Sequence, residues 1–198
     1  MQMSVPPART TAAISCAAAM ALSACSPGAE VEQATEPAPA PEETSEQVTH
    51  DSGLPSDAVP EVSRDSAVDC PYLETQFVAE TNGQKVTGSG IDERFDTPAC
   101  VFWSYPEEPQ LEVLVRHTGS AEEARDVVDH FAPVDITDLA EEPAGWSGGR
   151  AGGGAIDGRE GAVYAVAKDS VAVVVLANQR ESVKAQLIAE QAITNLSL

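Results

Sequence analysis

Cysteine offers the most definite chemistry in this chain. Leu22-Ser23-Ala24-Cys25 closes an apolar run from Ala12 to Leu22. An aliphatic residue, two small residues and a cysteine, in that order, form a bacterial lipobox. The small residues admit the chain to the signal-peptidase groove. The Cys25 thiol then takes a diacylglyceryl group as a thioether, and its freed α-amine becomes the new N-terminus. Residues 1–24 carry Arg9 as their single base and no acid. Their apolar run is shorter than the ~20 residues of a membrane span, so 1–24 read as a lipoprotein signal peptide. Of the four cysteines, Cys16 leaves with that peptide and Cys25 takes the lipid. Cys70 and Cys100 remain, and in an exported chain a remaining pair reads as a disulfide. The loop it closes is about 30 residues, for which a bridge contributes on the order of 3 kcal/mol. A redox or metal pair would need CxxC spacing or a third ligand nearby, and the sequence has neither.

Other reactive residue types form no recognisable set. Trp146-Ser147-Gly148 is half of a nucleophile elbow, with Ala144 where the first glycine of GxSxG would stand. His117 and His130 share no zinc-ligand spacing with carboxylates. His50 lies in a polar, linker-like stretch. Glu107-Glu108, Glu122-Glu123 and Glu141-Glu142 read as solvated surface, and no calcium loop of the D-x-D-x-D-G kind is present. The glycine-dense stretch Gly145 to Gly158 lacks both phosphate-cradle patterns and reads as a flexible surface loop. Trp146 and Arg150 within it are the residue types enriched at contact hot spots, so they are the candidate binding pair. No catalytic residue, metal ligand or cofactor is assigned.

The elements that must position these residues begin after a tether. Residues 25–67 are rich in Pro, Glu, Ala, Thr and Ser and contain no aromatic residue. Such a segment cannot bury enough apolar surface to offset the entropy of ordering it. Its acids, mutually repelling, keep it extended. Residues 68–198 then form one globular domain. The whole chain has 198 residues with 32 Asp and Glu against 11 Lys and Arg, a formal charge of −21. That surplus argues against nucleic-acid partners and against adsorption to anionic lipid by charge, leaving the lipid anchor as the membrane contact.

Asp69-Cys70-Pro71 predicts a helix start, with Cys70, Leu73 and Phe77 on one face and Gly83 as the stop. Gln84 to Ser89 alternates weakly, as an edge strand would. Cys100 to Tyr105 and Leu111 to Arg116 predict a hairpin around Pro106-Glu107-Glu108-Pro109. Trp103, near Cys100, reads as core packed on the disulfide. Ser120-x-x-Glu123 heads a helix with Ala121, Ala124, Val127, Val128 and Phe131 on its inner stripe. Gly161 to Ala167 and Val171 to Ala177 flank a turn as a second hairpin, whose later strand is apolar on both faces. Asn178-x-x-Glu181 caps a last helix with Ala185, Ile188, Ala189, Ala192 and Leu196 inward. The order α-β-β-β-α-loop-β-β-α predicts an α+β fold, mainly antiparallel sheet with three packed helices.

The lipobox, the acidic tether, Cys70-Pro71-Tyr72-Leu73 and Pro98-Ala99-Cys100-Val101-Phe102-Trp103 together resemble a family of actinobacterial, corynebacterial-type envelope lipoproteins known as a domain of unknown function, family 2020. Residues 91–98, 143–150 and 171–185 resemble it too. The resemblance implies an envelope lipoprotein with a Cys70–Cys100 bridge and a compact sheet-and-helix fold, and it implies no activity. The leading expectation is therefore a non-catalytic, lipid-anchored module that binds an envelope protein or a wall or lipid component. A small-ligand or lipid carrier is the second, and requires an apolar cavity between sheet and helices. An envelope hydrolase using Ser147, His117 or His130 is the third, and requires those side chains to meet.

Overall fold

The computed structural model describes residues 53–198; Cys25 and its lipobox, the rest of 1–24, His50 and residues 25–52 lie outside them. Helix α1 is Thr75–Asn82, followed by strands β1 Gly88–Asp92, β2 Thr97–Trp103 and β3 Pro109–His117. Helix α2 is Ala121–Phe131, and four strands follow: β4 Asp138–Ala140, β5 Ser147–Ala151, β6 Val163–Lys168 and β7 Val171–Ala177. Helix α3, Ser182–Leu196, is the last of these elements. The architecture is α+β: one seven-stranded sheet in the order β1-β2-β3-β7-β6-β5-β4, with every neighbouring pair antiparallel.

Side-chain alternation splits the interior into two layers. Helices α1 and α3 cover one face, where Phe102, Val113, Val115, Val173 and Val175 meet Val78, Ile188 and Ala192. Helix α2 lies on the other, where Leu114, Val163, Ala165, Val174 and Leu176 meet Ala124, Val127 and Phe131. Strand β7 sits between β3 and β6 with both faces buried, as its unbroken apolar run predicts. Both hairpins form, and α2 buries the stripe expected of it apart from Ala121. The Ser120 hydroxyl accepts from Glu123 N–H at 3.2 Å, and the Glu123 carboxylate accepts from Gly119 N–H at 2.8 Å. Both bonds satisfy donors at the helix start.

Four expectations are corrected. The first helix starts at Thr75, with Glu74 as N-cap, rather than at Asp69. Residues 70–73 are instead pinned to the sheet: Cys70 is bridged to Cys100, and the buried Tyr72 hydroxyl donates to Pro98 O at 3.0 Å. Asn178 does not cap α3; its side chain accepts from Gln84 at 2.8 Å, and Glu181 precedes the helix. The glycine-dense stretch contributes a strand, β5, and the connector before it contributes β4, so the order is α-β-β-β-α-β-β-β-β-α. The glycines serve close approach. A Cβ on Gly149 would stand 2.5 Å from Thr137 Oγ1 and 2.8 Å from Ala132 O, so only glycine lets the 132–137 connector close over β5. Gly161 is held just as tightly against the Ala177 carbonyl.

The fourth correction concerns the domain boundary, expected at 67/68. Residues 54–67 pack on the sheet as a strap over the half of the α2 face that α2 leaves open. Leu54 and Ala58 join the apolar layer there, and Pro60, Val62 and Arg64 line a groove with Val101, Trp103 and Glu112. Trp103 is buried on this strap side, opposite the face that carries Cys100. Polar residues fasten the strap. Asp92 accepts from Glu61 N–H at 2.8 Å, and Arg94 bonds Asp92, Val59 O and the Glu61 carboxylate. Arg64 donates to the Ser104 and Pro106 carbonyls, and Val68 N–H donates to Ser89 O.

Burial alone would raise the Asp92 carboxyl, but hydrogen bonds from Arg94 and from the Glu61 and Arg94 amides outweigh it and hold the group below the ordinary carboxylate range. A depressed folded pKa stabilises the fold above the unfolded value, and that stabilisation is lost as pH falls below about 4. Asp92→Asn is expected to cost about 2 kcal/mol at neutral pH, with the gap to wild type narrowing in acid. Urea midpoints measured from pH 7 to 3 test this; a gap independent of pH would refute the linkage.

Candidate functional site

Of the expected site residues, the structure joins the two cysteines and assembles no catalytic or binding set from the others. Cys70 and Cys100 form the disulfide, with sulfurs 2.04 Å apart. Trp146 is not an exposed loop residue: it is 4% exposed and packs beneath the sheet with Ala140, Tyr164 and Val166. Its indole belongs to the layer under β4–β6, with Lys168 Nζ 5.8 Å from the ring. Arg150 is half-buried in β5 and donates to Gln186 on α3 at 3.3 Å. The pair is therefore structural, and Trp146 offers no free surface. A tryptophan among glycines gives the same sequence signal whether the glycines form a loop or a tight strand, which is why the burial was missed.

The residues named for hydrolysis do not assemble into one site. Ser147 lies in a groove with Asp129 and Arg125. His117 lies in a different cleft, with Arg116 and Glu123, and its Nε2 is 2.9 Å from Thr97 Oγ1. His130 is exposed and meets the Phe131 ring edge-on. Among the described residues no three His, Cys, Asp or Glu side chains cluster as a metal site requires.

Two surface features stand out. The larger cleft, about 480 Å³, lies where the strap meets the end of β3 and the start of α2. Arg116 forms its floor, only 2% exposed, donating from Nη1 to Pro55 O and from Nη2 to Leu54 O, each at 3.1 Å, with its guanidinium 5.5 Å from the Phe95 ring centroid. This guanidinium is engaged in holding the strap.

The second feature is the asymmetry of the sheet edges. At β1 the chain folds back over the edge: Val68 bonds Ser89, and Val62 and Ser66 press on Gly90. At the opposite edge, β4 pairs only with β5 among the described residues. Beside it Val134 is 76% exposed, Ile136 53% and Leu139 64%. Val134 and Leu139 flank a groove of about 210 Å³ floored by Val128 of α2 and by Ala132, which follows the helix. The turn after β4 is anchored from below by Tyr164, whose hydroxyl donates to Glu142 O; burial pushes that phenol up to about 12, so it stays a neutral donor. The edge is thus backed by Trp146 and Tyr164 from beneath and by Gly149 of β5 alongside. The sequence signal for it was weak, because 132–142 carries no clean period.

The molecule is a three-layer α+β domain, an antiparallel sheet between helices, with a bridged entry segment and one open edge. Residues 54–198 match the family described as Domain of unknown function (DUF2020), and the chain belongs to that family. The matched region begins where the strap does. No curated protein is similar to the chain.

Proposed function

We propose that the protein is a lipid-anchored, extracytoplasmic lipoprotein of an actinobacterial envelope, whose domain binds an envelope protein rather than catalysing a reaction. The observation that carries the binding half is the β4 edge: three large aliphatic side chains exposed beside a sheet edge that nothing described covers. Soluble domains normally blunt or cover such edges, as this one does at β1, and exposed apolar groups of this kind mark contact sites. The anchoring half rests on Leu22-Ser23-Ala24-Cys25. Support for a carrier falls away, because the layers between sheet and helices are filled by side chains that are almost wholly buried.

The test combines fractionation with crosslinking in living cells. Cys25→Ser is expected to move the protein out of the membrane fraction, and continued retention would disprove anchoring. A photoreactive side chain at position 139 is expected to capture a defined protein that the same group at Tyr105, on the β2–β3 turn, does not. Equal capture from both positions, or from neither, would sink the reading.

A further inference from the structure

Resting on that binding reading, we infer that the β4 edge takes an extended, cationic and apolar polypeptide segment as an added strand. An added strand pairs its backbone with the free edge, and every second side chain then faces the groove beside Leu139. That groove, floored by Val128 and Ala132, is smaller than the roughly 300–1,000 Å³ of small-molecule sites. It suits aliphatic side chains of a chain laid alongside it. Charge selects among occupants. The segment around the edge carries Asp129, Asp135, Asp138, Glu141 and Glu142, against Arg125 in the groove and Arg150 opposite Asp138 on β5. Acids flanking an edge strand oppose pairing between identical acidic copies, and this chain carries −21 overall. The same acids repel an anionic membrane surface. They attract lysine and arginine on a partner strand, and cross-strand pairs of opposite charge reward that register. Asp138 and Leu139 thus divide the work, one choosing the sign of the partner and the other gripping it.

The probe is a synthetic peptide of alternating valine and lysine, roughly six residues long as strands commonly are. It is titrated against the full chain in detergent and followed by amide chemical shifts. Three comparison peptides replace lysine by glutamate, N-methylate the pairing edge, or scramble the alternation. The valine–lysine peptide is expected to shift amides of 134–140 and 147–151, with binding weakened several-fold by added salt. Leu139→Asn should weaken it at least ~10-fold, and Asp138→Lys should turn the preference toward the glutamate peptide. Equal binding of the N-methylated peptide would overturn strand addition, and equal binding of the glutamate peptide would overturn the charge choice. Self-association abolished by Leu139→Asn, or adsorption to anionic vesicles through Leu139, would assign the edge to a second copy or to lipid instead. Capture from position 139 in cells combined with no peptide binding leaves the interaction module standing and refutes the strand chemistry. Failure of that capture refutes the module itself.

Discussion

Removing the Cys70–Cys100 bridge is expected to lower stability by about 3 kcal/mol, and the thermal midpoint by roughly 10 °C. The bridge closes a loop of sequence separation 30, so its loss restores that loop's freedom to the unfolded chain. It also frees a covalent hold on the segment entering α1. Tyr72 remains as a secondary clamp, donating to Pro98 O and accepting at its own carbonyl from Asn195 at 2.7 Å. Two neutral hydrogen bonds contribute about 1 kcal/mol each, which is less than the bridge. The segment should therefore detach before the sheet melts. Cys70→Ala with Cys100→Ala is the suitable pair, because Cys100 is fully buried and serine would strand a hydroxyl there. Calorimetry of the double variant should match wild type treated with reductant. An unchanged midpoint in both would show that the bridge is not a staple.

What the sequence disclosed followed from how each signal is written. Helix α2 was legible because cap, stripe and stop agree within a few turns: Ser120, the spacing of Ala124, Val127, Val128 and Phe131, and Pro133. Strand β7 was legible because seven apolar residues in a row suit no other place than the middle of a sheet. Strands β4 and β5 were not. Their sequences, Asp138–Ala140 and Ser147–Ala151, hold few β-formers, and they exist because neighbouring backbones approach closely enough to pair. Glycine permits that approach and leaves the same composition as a loop. The strap was missed for a related reason. Its prolines and acids are those of a tether, and what orders it, beside Leu54 and Ala58, is a set of polar partners outside its own sequence: Arg116 on β3, Asp92 on β1 and Arg94 in the turn after β1. Of the sites, the disulfide came from cysteine arithmetic alone. The open β4 edge could not, since edge status is a property of topology.

Arg116 is where that dependence is greatest, and Arg116→Met is expected to cost about 3 kcal/mol. In sequence it alternates with Val115 on a strand and looks like a solvent-facing residue. In the fold the strap covers its face and buries it to 2% exposure. A buried guanidinium is tolerated only when its donors are satisfied; here Leu54 O and Pro55 O accept from it, and Phe95 presents its ring. Hydrogen bonds to charged groups contribute about 1.5–3 kcal/mol each, and the ring adds on the order of 1 kcal/mol. Methionine fills much of the space and removes the charge together with its desolvation cost, so the net loss is smaller than that sum. The effect should be local first. Amide exchange at Glu61 and proteolytic cutting within 54–66 should accelerate well before the β3 and β7 amides respond. Arg116→Lys should fall between the two, since one ammonium replaces the planar fork that reaches both carbonyls. Unaltered strap exchange in the methionine variant would show that Leu54 and Ala58 packing holds the strap unaided. Exchange accelerating uniformly through the sheet would show that Arg116 supports the whole domain rather than its first fourteen residues, 54–67.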